Sequence, residues 1–199
     1  MHDAPSRGER GLTLIELMIV LAVAAVAITL AAPSFREMIQ MQRLRGINAQ
    51  LVTDLQFARS EAVTRGQIAR LNLGADALQT CYVIYTSTGN GIPRCDCTRA
   101  PDDACQPGGA NAQEIRTVGV PRDSGVTLTW PVDQNTGFGY DHITGGLVTI
   151  PTDSDTAPLA SVQISSRIDD ARQLRNTVLQ TGRPTVCAPN AARMQVASC

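Results

Sequence analysis

Three groups of residues in this chain have types and spacings suited to chemistry. The first is a single carboxylate, Glu16, inside "GLTLIELMIV" (11–20), the stretch that opens the long apolar run. A carboxylate in hydrocarbon is costly unless it is paired or neutralised, and such groups usually carry function. The second is a set of six cysteines, at 81, 95, 97, 105, 187 and 199. The third is scattered: the pair Asp141-His142, the acidic stretch "TDSDT" at 152–156, and the arginines of 167–199.

Catalysis finds little footing among them. The sequence holds no Gly-x-Ser-x-Gly elbow, phosphate loop or His-Glu-x-x-His motif. Asp141-His142 lacks a nucleophile to activate and reads as an ordinary loop pair. Asp153 and Asp155 fall short of a calcium coordination set and read as a turn. "CDC" (95–97) with Cys105 has tighter spacing than zinc sites use, and no fourth ligand accompanies it. The expectation is a chain that is not an enzyme, with no catalytic residues, no metal and no cofactor.

The element that holds Glu16 comes next. From Leu12 to Ala32 the only polar residues are Thr13, Glu16 and Thr29. As a helix this stretch spans roughly 31 Å, about one bilayer core. A cleaved secretory signal is the plain alternative, with Leu17–Ile28 as its apolar region and Ala31-Ala32 near the cut. Pro33 would then follow the cut, a poor position for signal peptidase, and Glu16 would interrupt the apolar region. A simple membrane anchor leaves Glu16 unexplained.

"RGLTLIEL" (10–17) resembles the class III signal of type IV pilins and pseudopilins. The resemblance implies cleavage between Gly11 and Leu12 by a prepilin peptidase, with N-methylation of Leu12, so that the leader 1–11 is lost and the apolar helix kept. It also implies that Glu16 pairs with the N-terminal amine of a neighbouring subunit during assembly. Two opposite charges in a low-dielectric core offset each other's desolvation only in register, so such a pair fixes the stagger of stacked helices. Leu12 stands where the family more often has Phe. Pro33 matches the family's proline. Arg7 and Arg10 favour a cytoplasmic N-terminus, but Arg36, Arg43 and Arg45 follow the span, so the leader motif decides the orientation.

Beyond Pro33 the texture changes. Leu44, Ile47, Leu51, Leu55, Ala58 and Ala62 recur every three or four residues, with Arg43, Asp54, Arg59, Glu61 and Arg65 between them. This predicts an amphipathic helix over 33–66, stopped near Gly66 and packed by its stripe on a globular domain. Ser34 and Glu37 have capping-box spacing, so either a fresh helix start there or a continuous helix is compatible with the residues. "LQFARSEAVTRG" (55–66) is similar to the helix end of the GspH pseudopilins and the FimT/FimU minor pilins.

Residues 67–199 read as a β-rich head. Short runs expected as strands are 68–73, 81–86, 115–120, 126–130, 147–150, 162–166, 177–179 and 185–187. The expected fold class is α+β, a long N-terminal helix packed on a C-terminal antiparallel β domain. The family resemblance implies two antiparallel sheets against the helix. Residues 87–114 read as a long surface loop stapled by cysteines. Export favours disulfides: Cys187 with Cys199 would tie down the tail, while Cys105 takes Cys95 or Cys97 and Cys81 takes the other.

Net charge is −1, which excludes a strongly basic nucleic-acid binder in bulk. Residues 167–199 are locally basic, holding Arg167, Arg172, Arg175, Arg183 and Arg193 against Asp169 and Asp170. Such an excess would meet phosphates with salt-sensitive affinity. Some FimT-type pilins take part in DNA uptake and share a Gly-Arg-x-Arg turn; here Gly182-Arg183-Pro184-Thr185 keeps the first Arg and loses the second. Possible DNA contacts are therefore Gly182 and Arg183, with Arg172 and Arg175 nearby in sequence. The resemblance implies a minor type IV pilin, or an H-type pseudopilin of type II secretion, or a pilus DNA receptor. Implied partners are other pilin subunits, the prepilin peptidase and an inner-membrane assembly platform. The implied location is single-pass in the inner membrane with a periplasmic head, then pilus or pseudopilus.

Overall fold

The computed structural model describes residues 13–87, 95–105, 111–131, 137–149 and 158–199. The leader, including the Gly11–Leu12 junction, lies outside the described residues, as do "TDSDT" and Ile150. The chain divides into two compact units, one reaching Ile39 and the other running from Gln40 to Cys199.

A single helix, α1 (Leu14–Arg65), carries the sequence of both predicted helical segments. It starts on Thr13, whose Oγ1 accepts the Glu16 backbone N–H at 3.3 Å. It is helical through position 33 and through Ser34–Glu37, so no second start occurs there. It stops as its residues demand: Gly66 takes φ +63°, and the Gln67 N–H bonds back to the Ala62 carbonyl. That left-handed residue and six-to-one bond form a Schellman stop, which a side chain with a Cβ would strain.

The head is two antiparallel sheets. The first, in spatial order β3-β2-β1-β5-β6, comprises β1 (Ala69–Ala75), β2 (Gln79–Ser87), β3 (Ala112–Pro121), β5 (Phe138–Tyr140) and β6 (Leu147–Thr149). The second, β4-β7-β8-β9, comprises β4 (Thr127–Thr129), β7 (Ser161–Arg167), β8 (Gln173–Leu179) and β9 (Pro184–Cys187). The fold class is α+β, a long helix followed by antiparallel sheets. A short helix, α2 (Ala191–Met194), closes the chain, with Asn190 as its N-cap.

Pleating sorts the residues. Val162, Ile164 and Ser166 of β7, and Leu174, Asn176 and Val178 of β8, point inward and are buried. The apolar ones among them join Leu71, Tyr82, Ile84, Phe138 and Tyr140 from the first sheet and Leu44, Leu51, Leu55, Ala58 and Ala62 from α1 in one core. The predicted helical stripe is thus the face that meets the sheets.

Three details depart from the sequence reading. β5 is an extra strand, only three residues long and half glycine-flanked, with Phe138 and Tyr140 packed edge to face at 6.4 Å. β3 begins at Ala112, inside the segment read as loop, because its outward residues are polar. β8 begins at Gln173 rather than 177, because "QLRN" alternates polar-out with Leu174 and Asn176 inward.

Candidate functional site

Among the described residues, the apolar stretch of the N-terminal unit as far as Ala32 holds one ionisable group. Glu16 occupies the first turn of α1, and Leu14, Ile15, Leu17, Met18, Ile19, Val20 and Leu21 around it are all exposed. The helix is long and apolar enough to cross a membrane. Thr13 and Glu16 stand in capping-box spacing, so the carboxylate also sits at the positive end of the helix dipole. Gly11 and Leu12, the expected processing residues, are outside the described part.

From Gln40 onward the helix is tied to the head by polar contacts as well as by the apolar stripe. Asn176 donates to Asn48 Oδ1 at 2.7 Å, both residues buried. Tyr82 Oη donates to Asp54 Oδ2 at 2.6 Å, and Arg116 approaches Asp54 Oδ1 at 2.9 Å. Asp54 is only 1% exposed. Burial, and then the hydrogen bond to Asp54, raise the Tyr82 phenol far above its usual range. Arg59 Nε donates to the Gly145 carbonyl at 2.9 Å. Sequence periodicity places Asp54 and Arg59 between the stripe positions; the structure turns both toward the head. Helical phase alone does not show that Tyr82 and Arg116, far along the chain, supply partners.

All six cysteines are paired: Cys81–Cys97, Cys95–Cys105 and Cys187–Cys199. The first two fasten the 95–105 segment over the outer face of β1 and β2, where Asn72 Nδ2 also donates to the Cys95 carbonyl. Gly74 is required beneath it, since a Cβ there would stand 2.8 Å from Cys97 Sγ. The third holds the last residue against β9.

Of the arginines of 167–199, Arg167 and Arg172 are engaged by neighbouring side chains, and Arg175 and Arg183 are set apart. Arg172 is occupied, bonding Asp169 through Nε and Nη2 and Gln40 Oε1 through Nη1. Its hydrogen bonds hold the Asp169 carboxyl below the usual range. Arg167 pairs with Asp170 at 3.3 Å. Arg175 lies opposite Cys187 at one end of β9, and Arg183 immediately precedes the other end. Their backbones are therefore about 13 Å apart at strand rise.

Gly182, by contrast, has a clear structural role. It adopts φ +77°, and a Cβ there would fall 2.2 Å from the Gly145 carbonyl oxygen. Gly145 adopts φ +64° in the turn after Tyr140. Asp141 builds that turn by accepting from Thr144 N–H and Oγ1, at 2.8 and 2.7 Å. The Thr144 N–H is the main reason the Asp141 carboxyl titrates below its ordinary value. His142 Nδ1 lies 3.6 Å from Asp141 Oδ1, an arrangement that adds no nucleophile.

Comparison with known proteins adds two matches. Residues 6–32 match the prokaryotic N-terminal methylation motif, and residues 48–182 match the family profile of type II transport protein GspH. No curated protein and no solved structure matches the chain. The second match covers more than half of the chain, including α1 from Asn48 onward, the whole first sheet and the second sheet as far as β8. The first covers Glu16 and its apolar surroundings.

Proposed function

The chain belongs to the GspH family of type II transport proteins, and from that premise we propose that it is a minor type IV pilin that helps to prime and assemble the pilus and sits at its tip. The family is one of pilin-like structural subunits, acting in type IV pili or type II secretion. What supports a filament role for this chain is one observation: the apolar first half of α1 is exposed all round yet carries Glu16 in its first turn.

In this reading a prepilin peptidase removes residues 1–11, and the amine of Leu12 is methylated. The domains are then a filament-core helix over 12–32, an amphipathic helix over 33–66 and a periplasmic head over 67–199. Before assembly the subunit spans the inner membrane once, in contact with the assembly platform. During assembly the helix leaves lipid for a bundle of like helices, and Glu16 meets the cationic N-terminus of an adjoining subunit. The charges cancel only in one stagger, which makes the pair a register device more than a source of stability. Repeated head-to-tail contacts then generate an open helical fibre. Pro33 sits where the apolar texture gives way to the amphipathic one.

A second reading, an H-type pseudopilin of a type II secretion system, is favoured by the family match over 48–182. It uses the same physics in a different machine. A DNA-receptor role has less support, because Arg172 and Arg167 are engaged with Asp169, Gln40 and Asp170.

Mass spectrometry of the N-terminus of the protein recovered from membranes tests the reading. The expected mass begins at N-methyl-Leu12. A chain beginning at Pro33 identifies ordinary secretion and removes the filament helix, and with it the proposal.

A further inference from the structure

One cavity of about 490 Å³ opens beside the C-terminal turns of α1, between them and the turns at Gly145 and Gly182. Its size lies within the roughly 300–1,000 Å³ of ligand pockets. Arg59 and Arg183 both line it, and no acidic residue does. Arg59 uses Nε on the Gly145 carbonyl, and its two terminal nitrogens have no hydrogen-bond partner among the described residues. Arg183 is exposed and likewise bonds to nothing among them. At the rim stand two apolar side chains with nothing over them, Ile143 (79% exposed) and Val63 (55% exposed).

The floor is fixed in place. Gly145 and Gly182 press backbone on backbone, and a Cβ on either would also run into the Arg59 guanidinium, at 2.9 and 3.1 Å from its Nε. Arg59 is therefore pinned with its fork presented, so little rotamer freedom is lost when an acceptor arrives. A planar fork offering paired N–H groups matches a carboxylate bidentately. The apolar rim matches a hydrophobic neighbour of that carboxylate.

We propose that this cavity is a docking site for a short acidic segment of a neighbouring filament subunit: an Asp or Glu carboxylate held by Arg59 and Arg183, with an adjacent apolar side chain against Ile143 and Val63. The proposal rests on the filament reading above. Duplex DNA is the poorer occupant. Its phosphates line a convex surface that cannot enter a concave cavity with an apolar rim, and the chain as a whole is net acidic. An acidic turn of a protein fits both the shape and the charge.

The test places a photoreactive amino acid at Ile143 of the full chain, in cells that assemble the filament, and identifies adducts by mass spectrometry. A second photoprobe at Val20 reports helix-to-helix assembly independently. The expected result is an Ile143 adduct to an acidic stretch of another subunit, reduced roughly tenfold or more by Arg183→Glu. Arg183 is exposed and unbonded among the described residues, so this variant leaves the fold intact; an unchanged Val20 adduct checks that. An Ile143 adduct to DNA, an adduct indifferent to Arg183→Glu, or no adduct while Val20 still cross-links overturns the docking site and leaves the filament reading standing. Loss of subunit adducts from both probes overturns the filament reading, and the docking site falls with it.

Discussion

The two halves of α1 obey the same backbone rules and solve opposite problems. From Leu14 to Leu30 the large apolar side chains are all exposed, and Glu16 is the lone charge among them. From Leu44 to Ala62 the apolar stripe faces inward, buried at every position except the half-buried Ile47, and Asn48, Asp54 and Arg59 each bond to the head. The apolar stripe of the second half is covered within its own chain. The first half is left uncovered by the described residues, and in the proposed reading lipid or other helices cover it. The difference teaches where intermolecular function resides: where a helix carries more apolar surface than its own fold can bury.

The sharpest way to break that contrast is at Glu16. Glu16→Ala is expected to abolish recovery in sheared filaments while leaving leader cleavage intact, whereas Gly11→Val leaves the leader attached. Immunoblots of shear fractions read incorporation, and the shift in electrophoretic mobility reads cleavage. Normal incorporation of both variants defeats the mechanism.

Matched truncations in the two halves come next. Leu51→Ala is expected to cost about 2–5 kcal/mol, because it opens a cavity in a closed core. Leu21→Ala in the same detergent-solubilised monomer is expected to cost under about 0.5 kcal/mol, as exposed sites do. Denaturant midpoints measure both. Equal losses show that the first half is buried in its own monomer after all.

Replacing Cys187 and Cys199 together by Ser is expected to cost about 2–4 kcal/mol by releasing the tail constraint. The readout is the same unfolding midpoint, with the other two bridges kept oxidised. Asp54→Ala follows at about 1.5–3 kcal/mol, since the buried Tyr82 hydroxyl loses its charged acceptor. Arg116, which is 44% exposed, turns to water at little cost. Should Asp54→Leu with Tyr82→Phe recover most of the loss, the pair serves specificity more than stability.

The smallest effect concerns pH. Asp141 and Asp169 both titrate below the ordinary carboxylate value in the folded chain. Their contribution is therefore fully present above the unfolded value, about pH 4, and is lost as pH falls through the lower folded value. Hydrogen exchange at the Thr144 and Arg172 amides should rise on acidification across that window, and Asp141→Asn should remove the change at Thr144 alone.

Much of this was legible in the residues, for identifiable reasons. The apolar run and Glu16 within it are contiguous, so local order carries their meaning. The stripe from Leu44 to Ala62 repeats with the helical period, and short β-like runs between turn residues marked most of β7 and the end of β8. β5 escaped because three residues give no period to read. The early part of β8 escaped because its inward Asn176 is polar, and its partner Asn48 lies on the distant helix.

By itself the sequence determined a helix too apolar for one chain to cover, the single acid inside it, and a two-period pattern that demands sheets against a helix. Which cysteines pair was decided by the tertiary structure: β2 sets Cys81 beside Cys97 and leaves Cys95 to Cys105. So were the burial of Asp54 and the meeting of Arg59 with Gly145 and Gly182. The physical reason is the same in each case. Periodicity states which way a side chain faces, but what it faces is fixed only when segments far apart in the chain are packed together.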